Sequence, residues 1–144
     1  MVVLYPMIRK MDGIDKSSNG RFWFDQPRMR LAETYLFRAE AYIQLGELDN
    51  AAADINVVRA RANASPVASS DVDIDYLLDE RARELTLEEN RMRTLTRLDK
   101  FIERTDRYNF RAKGKITDKN KLWPNPQSVI DSNSGADFGQ NPGY

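Results

Sequence analysis

RLAETYLFRAEAYIQLGELDNAAADINVVRARA, from Arg30 to Ala62, is the stretch of the sequence that decides the fold. Apolar residues recur at steps of three and four along its first half, which is the spacing of one face of an α-helix. They form two neighbouring rows, namely Leu31, Tyr35, Ala39 and Tyr42, and Ala32, Leu36 and Ile43. Because both rows are apolar, the sequence predicts a helix that is buried on more than one side.

The second half of the stretch predicts another helix that runs back along the first. Gly46 stands where a helix commonly ends in a left-handed residue, and Asp49 or Asn50 can cap the helix that follows. The inward positions of this second helix are mostly small, namely Ala51, Ile55, Val58 and Ala62. Because small side chains let helices approach closely, we expect an antiparallel helical hairpin over residues 29–62.

This hairpin resembles a tetratricopeptide unit, which combines aromatic residues, a small residue at the helix crossing and a turn glycine. The matching positions are Tyr35, Ala39, Tyr42, Gly46, Leu48, Ala51 and Ile55. The sequence contains one such unit, whereas stacked helical pairs need at least about three copies for stability. We therefore expect the hairpin to pack against another surface.

Composition limits the classes of function. The 144 residues suit one domain, 41% of them are hydrophobic, and no apolar run is long enough to span a membrane. The 22 basic and 22 acidic residues give a net charge of zero, which argues against a nucleic-acid partner. Since the chain has no cysteine and no histidine, it excludes disulfides, histidine-dependent triads and Cys/His zinc sites of its own. We expect no metal and no cofactor.

Residues 1–28 predict an extended and looped segment that leads to the hairpin. A short apolar run at residues 2–8 is broken by Pro6, and Asp-Gly and Asn-Gly pairs before Arg21 favour turns. Three consecutive aromatic residues follow, Phe22, Trp23 and Phe24. They indicate a loop or hairpin with an aromatic tip.

Residues 73–107 predict a second helical pair. Aspartates at 71, 73 and 75 precede an apolar pattern that indicates a third helix, which ends near Glu89. Acidic residues favour the positive N-terminal end of a helix. A calcium loop is the alternative, but Tyr76 and Ala82 stand where that loop needs glycine and glutamate, so we prefer capping. After Asn90 a fourth helix is expected, with arginines mostly off an apolar stripe formed by Met92, Leu95, Leu98 and Ile102.

The C-terminal strap, residues 111–144, has no regular periodicity. Its run LWPNPQSVIDSNSGADFGQNPGY holds three prolines and three glycines, which forbid regular structure beyond a turn near residues 128–130. It keeps large apolar residues, namely Leu122, Trp123, Val129, Ile130, Phe138 and Tyr144. Because such residues are rare in disordered tails, we expect an ordered strap against the helices, anchored by Trp123 and Tyr144.

Four blocks of the sequence resemble, in this order, the C-terminal part of the SusD/RagB outer-membrane nutrient-binding lipoproteins of Bacteroidetes. The blocks are YPMIRK leading to RMRLAETYLFRAEAYIQLG, then INVVRARA, then LLDERARELTLEENR, and last LWPNPQSVIDSN with the terminal QNPGY. The resemblance covers nearly all of the chain as a single region, residues 1–144. It implies an all-α fold of about four helices with one tetratricopeptide-like hairpin, long ordered loops and an irregular strap.

The resemblance also implies a function and partners. Members of this family bind oligosaccharides or other nutrients at the cell surface without catalysis, as partners of a SusC-like TonB-dependent porin in the outer membrane. It further implies a lipid anchor far upstream and an N-terminal part that packs on this chain. Because family members are several times longer, we expect a fragment or a truncated relative.

The aromatic trio is the predicted ligand site. Phe22, Trp23 and Phe24 are flanked by Arg21 and Asp25, and flat rings stack on sugar faces while charged neighbours bind hydroxyls. Burial of the rings under the loop or against the upstream part is the alternative, since large aromatic side chains are often buried. Trp23 is the strongest single candidate.

The sequence leaves two other classes of function to compare, an enzyme and a protein-interaction module. A glycosidase needs two carboxylates that face one cleft at a set separation. The candidate carboxylates fix no such pair by their spacing, so we expect no enzyme activity; they are Glu33, Glu40, Asp54, Glu88 and Glu89. The other class is a tetratricopeptide-like protein-interaction module without glycan binding.

Overall fold

A computed structural model describes residues 29–136 and 138–144. In these residues the chain forms six α-helices and no strand, which confirms the all-α class. The helices are α1 (Leu31–Leu45), α2 (Leu48–Arg61), α3 (Ile74–Glu84), α4 (Arg91–Arg97), α5 (Phe101–Tyr108) and α6 (Gln127–Ser132). Short 3-10 helices lie at Ser69–Asp71 and Asp118–Lys121. The expected extended segment, residues 1–28, lies outside the described residues.

The chain divides into two compact units, Met1–Glu89 and Asn90–Tyr144. The described part of the first unit contains α1, α2 and α3, and the second contains α4, α5 and α6. Within residues 29–136 and 138–144, none of the helices has the length and apolar character that a membrane crossing requires.

The first unit is built on the predicted antiparallel hairpin. Arg30, which precedes α1, and Arg61, the last residue of α2, both bond the side chain of Glu84. Their meeting shows that the two helices run in opposite directions. The core that these helices share with α3 is Leu36, Ala39, Ala51, Ala52, Ile55, Val58, Val72, Leu77 and Leu85. Full burial of each leucine or isoleucine contributes about 1.5–3 kcal/mol, so this core is the main source of stability in the unit.

The turn between α1 and α2 is the predicted glycine cap. Gly46 has a φ of 78°, and its amide donates to the carbonyl of Ile43 at 3.1 Å. The next amide, of Glu47, donates to the carbonyl of Tyr42 at 2.8 Å. This pair of bonds is a Schellman motif, which satisfies the last carbonyls of α1 and reverses the chain.

Three details of the hairpin differ from the expectation. Asp49 and Asn50 do not cap α2, because the helix already begins at Leu48; Asn50 instead donates from its side chain to Glu47 at 2.7 Å. Ala62 lies just past α2 and is exposed. Leu31, at the first position of α1, is 69% exposed, although the next residue, Ala32, packs against the shared core.

The third helix begins as predicted and ends earlier. The carboxylate of Asp73 accepts the amide of Tyr76 at 2.6 Å, so the preferred capping role is observed. The helix stops at Glu84 rather than near Glu89, because Leu87 has a φ of 67°, which a right-handed helix cannot contain.

Residues 90–108, in the second unit, contain two helices where one was expected. Asn90 caps α4 by accepting the amide of Arg93 at 3.2 Å, which confirms the predicted separation. The predicted continuous stripe from Met92 to Ile102 is wrong, because Asp99 has a φ of 54° and ends α4 before α5 begins. Among the arginines of this region, Arg104 is buried.

The strap is ordered by hydrogen bonds rather than by burial. A short helix, α6, forms where a turn near residues 128–130 was predicted, and the amide of Tyr144 donates to the carbonyl of Asn141 across the final turn. The expected packing of its large apolar side chains is wrong for most of them. Leu122, Trp123, Val129, Phe138 and Tyr144 are exposed.

Gly46→Ala tests the turn that fixes the hairpin. An alanine must adopt the left-handed conformation there, so we expect the free energy of unfolding to fall by about 1 kcal/mol. Urea denaturation of the purified protein measures the change. Gly135→Ala is the control, since Gly135 has no positive φ and an added Cβ meets no atom within 4 Å; its effect should stay within about 0.5 kcal/mol. Equal effects of the two substitutions would contradict the role of Gly46.

Candidate functional sites

The five predicted ligand-binding residues lie outside the described residues. They are Arg21, Phe22, Trp23, Phe24 and Asp25. The aromatic ligand site therefore stays a prediction. The described residues contain open grooves and a network of ion pairs.

Most of the carboxylates considered for an enzyme serve the fold. Asp54 pairs with Arg38 at 2.7 Å, and Glu88 pairs with Arg30 at 2.6 Å. Glu33 and Glu89 both face Arg81, and Glu40 is buried. Carboxylates held in ion pairs within the fold do not flank a bond of a substrate, so a structural role suits them better than catalysis.

Arg81 is the most deeply buried charged residue in residues 29–89, the described part of the first unit, which is called the hairpin unit from here on. Its side chain is fully buried, and its Nε donates to Glu89 Oε1 at 2.8 Å. Glu33 Oε1 lies 3.6 Å from Nη2, and the guanidinium carbon lies 4.5 Å from the centre of the Phe37 ring. One cation thus links α1, α3 and the turn that follows α3.

Glu84 links both helices of the hairpin to α3. It accepts hydrogen bonds from Arg30 Nη2 at 2.8 Å and from Arg61 Nη2 at 2.7 Å. Burial raises the pKa of the Glu84 carboxyl, but the bonds from the two arginines outweigh that effect, so its pKa lies below the usual value. The hydrogen bond to Glu88 in turn raises the pKa of Arg30 above its ordinary value.

An apolar groove of about 510 Å³ runs along the hairpin. It is lined by Arg30, Leu31, Ala32, Tyr35, Val57, Val58 and Arg61. Leu31 is 69% exposed and Val57 is 48% exposed, so apolar side chains remain open to solvent there. Exposed apolar surface on a helical pair is suited to packing against another protein surface.

A second groove, here called the Trp123 groove, lies in the second unit and has a volume of about 430 Å³. Its lining consists of Asn90, Met92, Arg93, Thr96, Arg97, Lys121 and Trp123. Four of these residues share one face of α4, since positions four apart lie one turn from each other; they are Met92, Arg93, Thr96 and Arg97. Trp123 is 75% exposed.

Sequence reasoning missed the Trp123 groove because it assigned Trp123 to an anchoring role. Large aromatic residues are usually buried, and the prolines around Trp123 suggested a packed turn. The signal in the sequence that could have indicated this groove is Leu122-Trp123-Pro124, in which the proline restricts the backbone of the residue that carries the indole ring. Its exposure could be seen only in the structure.

The aspartates before α3 do not assemble a metal site. Asp73 is occupied as a helix cap, and no cluster of acidic residues in the described ranges 29–136 and 138–144 could hold a metal ion. The geometry of this segment is that of a helix start.

A comparison with known families decides the classification, because the model of the SusD family matches residues 3–144. This chain belongs to the SusD family. The predicted resemblance to SusD/RagB proteins is therefore confirmed, and it includes both the hairpin and the strap. The family is helical, in agreement with the observed fold.

A curated member of the SusD family gives a closer comparison. The chain is 37% identical over 126 residues to "Starch-binding protein SusD" of Bacteroides thetaiotaomicron. The alignment covers 83% of this chain and 22% of that relative, so the chain spans about a fifth of the relative's length. No solved structure matches this chain at a significant level.

Arg81→Ala tests the buried cation. Removing it leaves the carboxylate of Glu89, which is only 4% exposed, without its buried partner, so we expect the free energy of unfolding to fall by about 3–5 kcal/mol. Arg83→Ala is the matched control on the same helix, because Arg83 is 54% exposed and its partner Glu80 keeps a second ion pair, with Arg59 at 2.7 Å. Its loss should cost less than about 1 kcal/mol. Denaturant unfolding of both variants measures the difference, and equal costs would contradict a structural role of Arg81.

Glu84→Gln tests the shared carboxylate through the pH dependence of stability. The pKa of Glu84 is lowered in the folded protein from its ordinary value of 4.5, so its stabilising effect is complete above pH 4.5 and is lost as the pH falls through the lower folded value. We expect the variant to have a lower melting temperature at pH 7 and a shallower decline between about pH 5 and pH 3. Glu103→Gln, at a half-exposed position, is the control. A decline as steep as that of the wild type would contradict the assignment.

Proposed function

We propose that this chain forms part of a non-catalytic protein that binds oligosaccharides at the cell surface. Membership of the SusD family and the 37% identity to a protein named for starch binding support this function. The protein would act at the outer membrane as the partner of a SusC-like TonB-dependent transporter. In this arrangement it captures the nutrient and the transporter imports it.

The ion pairs support binding without catalysis. Glycoside hydrolysis needs one carboxyl group that donates a proton and another that attacks or activates water. In the hairpin unit, Glu33, Asp54, Glu88 and Glu89 are held in the fold by contacts with arginines. Catalytic carboxyl groups must instead face one cleft on either side of the bond that is cleaved.

The aromatic segment Arg21–Asp25 is the proposed contact with the sugar. Trp23 would stack on the apolar face of a pyranose ring, as flat aromatic side chains do, with Phe22 and Phe24 beside it. Arg21 and Asp25 would bind hydroxyl groups through hydrogen bonds.

The apolar groove is the proposed contact with protein. In a longer protein of this family, the upstream part would cover Leu31 and Val57, since a single tetratricopeptide-like hairpin leaves its outer face open. The same groove favours the second candidate function, a protein-interaction module without glycan binding. A pull-down with the transporter, done with and without oligosaccharide, separates the two candidates: a module without glycan binding retains its protein partner and binds no sugar.

Trp23→Ala tests the aromatic segment as the sugar contact. We expect the affinity of the full-length protein for its preferred oligosaccharide to fall about tenfold because a stacking surface is lost. Titration calorimetry with maltooligosaccharides and a panel of other glycans measures the affinity. Phe110→Ala is the control, since Phe110 is exposed in the second unit and lies outside the Trp123 groove. An unchanged affinity in the Trp23 variant would rule out stacking at this residue.

A further inference from the structure

We propose that the Trp123 groove is a second carbohydrate subsite and that it takes a sugar unit bearing a carboxylate, such as a uronic acid. This proposal rests on the proposed function, because it supplies the ligand class, and it adds a location and a charge preference. Trp123 would contact the face of the sugar ring, and Arg93 would bind the carboxylate.

The backbone around Trp123 is held in place by hydrogen bonds from the last residues of the chain. The carbonyl of Trp123 accepts a hydrogen bond from the Asn141 side chain at 2.6 Å, and the carbonyl of Leu122 accepts one from the Tyr144 hydroxyl at 3.1 Å. The ring of Tyr144 also lies 5.0 Å from the ammonium group of Lys119. The last residues of the chain thus fix the segment that carries the indole.

A second set of bonds extends this support beyond the proline. The amide of Asn125 donates to Gln140 Oε1 at 2.7 Å, and Gln140 Nε2 donates to the carbonyl of Asn125 at 2.9 Å. The side chain of Asn125 completes the pairing by donating to the carbonyl of Gly139 at 2.8 Å. The side-chain amide of Gln140 therefore pairs with the backbone of Asn125 as a neighbouring strand would.

The combination of a fixed backbone and an open ring points to a binding role. Trp123 is 75% exposed, so its indole contributes little to the packing of the unit. An aromatic side chain on a rigid support loses little conformational freedom when a ligand stacks on it, which favours binding. The hydrogen bonds of the strap therefore hold the indole ready for a flat, apolar ligand face.

The charged residues around the Trp123 ring favour a sugar that carries a negative charge. In the described part of the chain, the charged residues that line the groove are all basic: Arg93, Arg97 and Lys121. Lys121 is compensated by Asp99 at 2.6 Å and by Asp118 at 3.0 Å. The guanidinium of Arg93 is exposed and makes no ion pair or hydrogen bond with the described residues. A planar guanidinium matches a carboxylate through two parallel hydrogen bonds.

The dimensions and the remaining lining suit one or a few sugar units. The volume of about 430 Å³ falls within the range of small-molecule pockets, roughly 300–1,000 Å³. Asn90 uses its side-chain oxygen to cap α4, which leaves the amide nitrogen as a donor for a hydroxyl group. The groove thus offers a stacking face, a cation and a neutral donor.

The test measures binding of carboxylated oligosaccharides to the full-length protein. The probes are oligogalacturonides, alginate oligosaccharides and glucuronate-containing oligosaccharides, each compared with its carboxyl-reduced counterpart. We expect at least one acidic probe to bind about tenfold more tightly than its reduced form, with an affinity that falls as salt is added. Trp123→Ala and Arg93→Gln should each weaken that binding about tenfold, whereas Arg93→Gln should leave the reduced form unaffected.

The controls separate the groove from other effects. Phe110→Ala removes an aromatic ring of similar exposure, 73%, and Arg111→Gln removes an exposed cation outside the groove, so neither should change binding. Circular dichroism and thermal unfolding check that each variant is folded, and Trp123→Phe should retain part of the affinity.

Each of the other outcomes overturns a defined claim. Equal binding of acidic and reduced probes would refute the charge preference. Glycan binding that is lost in Trp23→Ala but unchanged in Trp123→Ala and Arg93→Gln would refute the second subsite and leave the proposed function intact. Failure of every glycan to bind the wild-type protein would refute the proposed function and the subsite together.

Discussion

Ion pairs between arginines and buried carboxylates are the constraint on which the hairpin unit depends. Arg81 lies in the core between Glu33 and Glu89. Glu84 pairs with Arg30 at the start of α1 and with Arg61 at the end of α2. A charge buried without a partner is strongly destabilising, so each of these groups restricts where its partners can lie. The pairs therefore fix the register of α3 against α1 and α2, which apolar contacts alone would leave less specific.

The strap of the second unit is held by hydrogen bonds from side-chain amides rather than by buried ion pairs. The strap exposes most of its large apolar side chains and relies on side-chain amides at Asn125, Gln140 and Asn141 to pair with backbone groups. Such bonds satisfy the backbone at positions where proline prevents a regular ladder. The consequence is a fixed segment with open apolar surface, a combination that a packed core cannot provide.

The two units also differ in the kind of partner that they suit. The apolar groove of the hairpin is bordered by Arg30 and Arg61, which already bind Glu84, so mainly apolar contacts remain available there. The Trp123 groove has an aromatic ring and a cation, Arg93, that can bind a polar ligand. This contrast is the reason for proposing protein packing in the first case and sugar binding in the second.

The sequence by itself determined the all-α class, the hairpin, the Gly46 turn, the acidic start of α3, the helix break at Asn90 and the family. These features depend on local chemistry: the period of apolar residues, the freedom of glycine at positive φ, and side chains that bond the nearest amides. The tertiary structure decided that α3 ends at Glu84, that Asp99 divides the predicted fourth helix, and that Trp123 stays exposed. Non-glycine residues at positive φ and exposed tryptophans run against local preference. They depend on contacts between residues distant in the sequence, which no local pattern records.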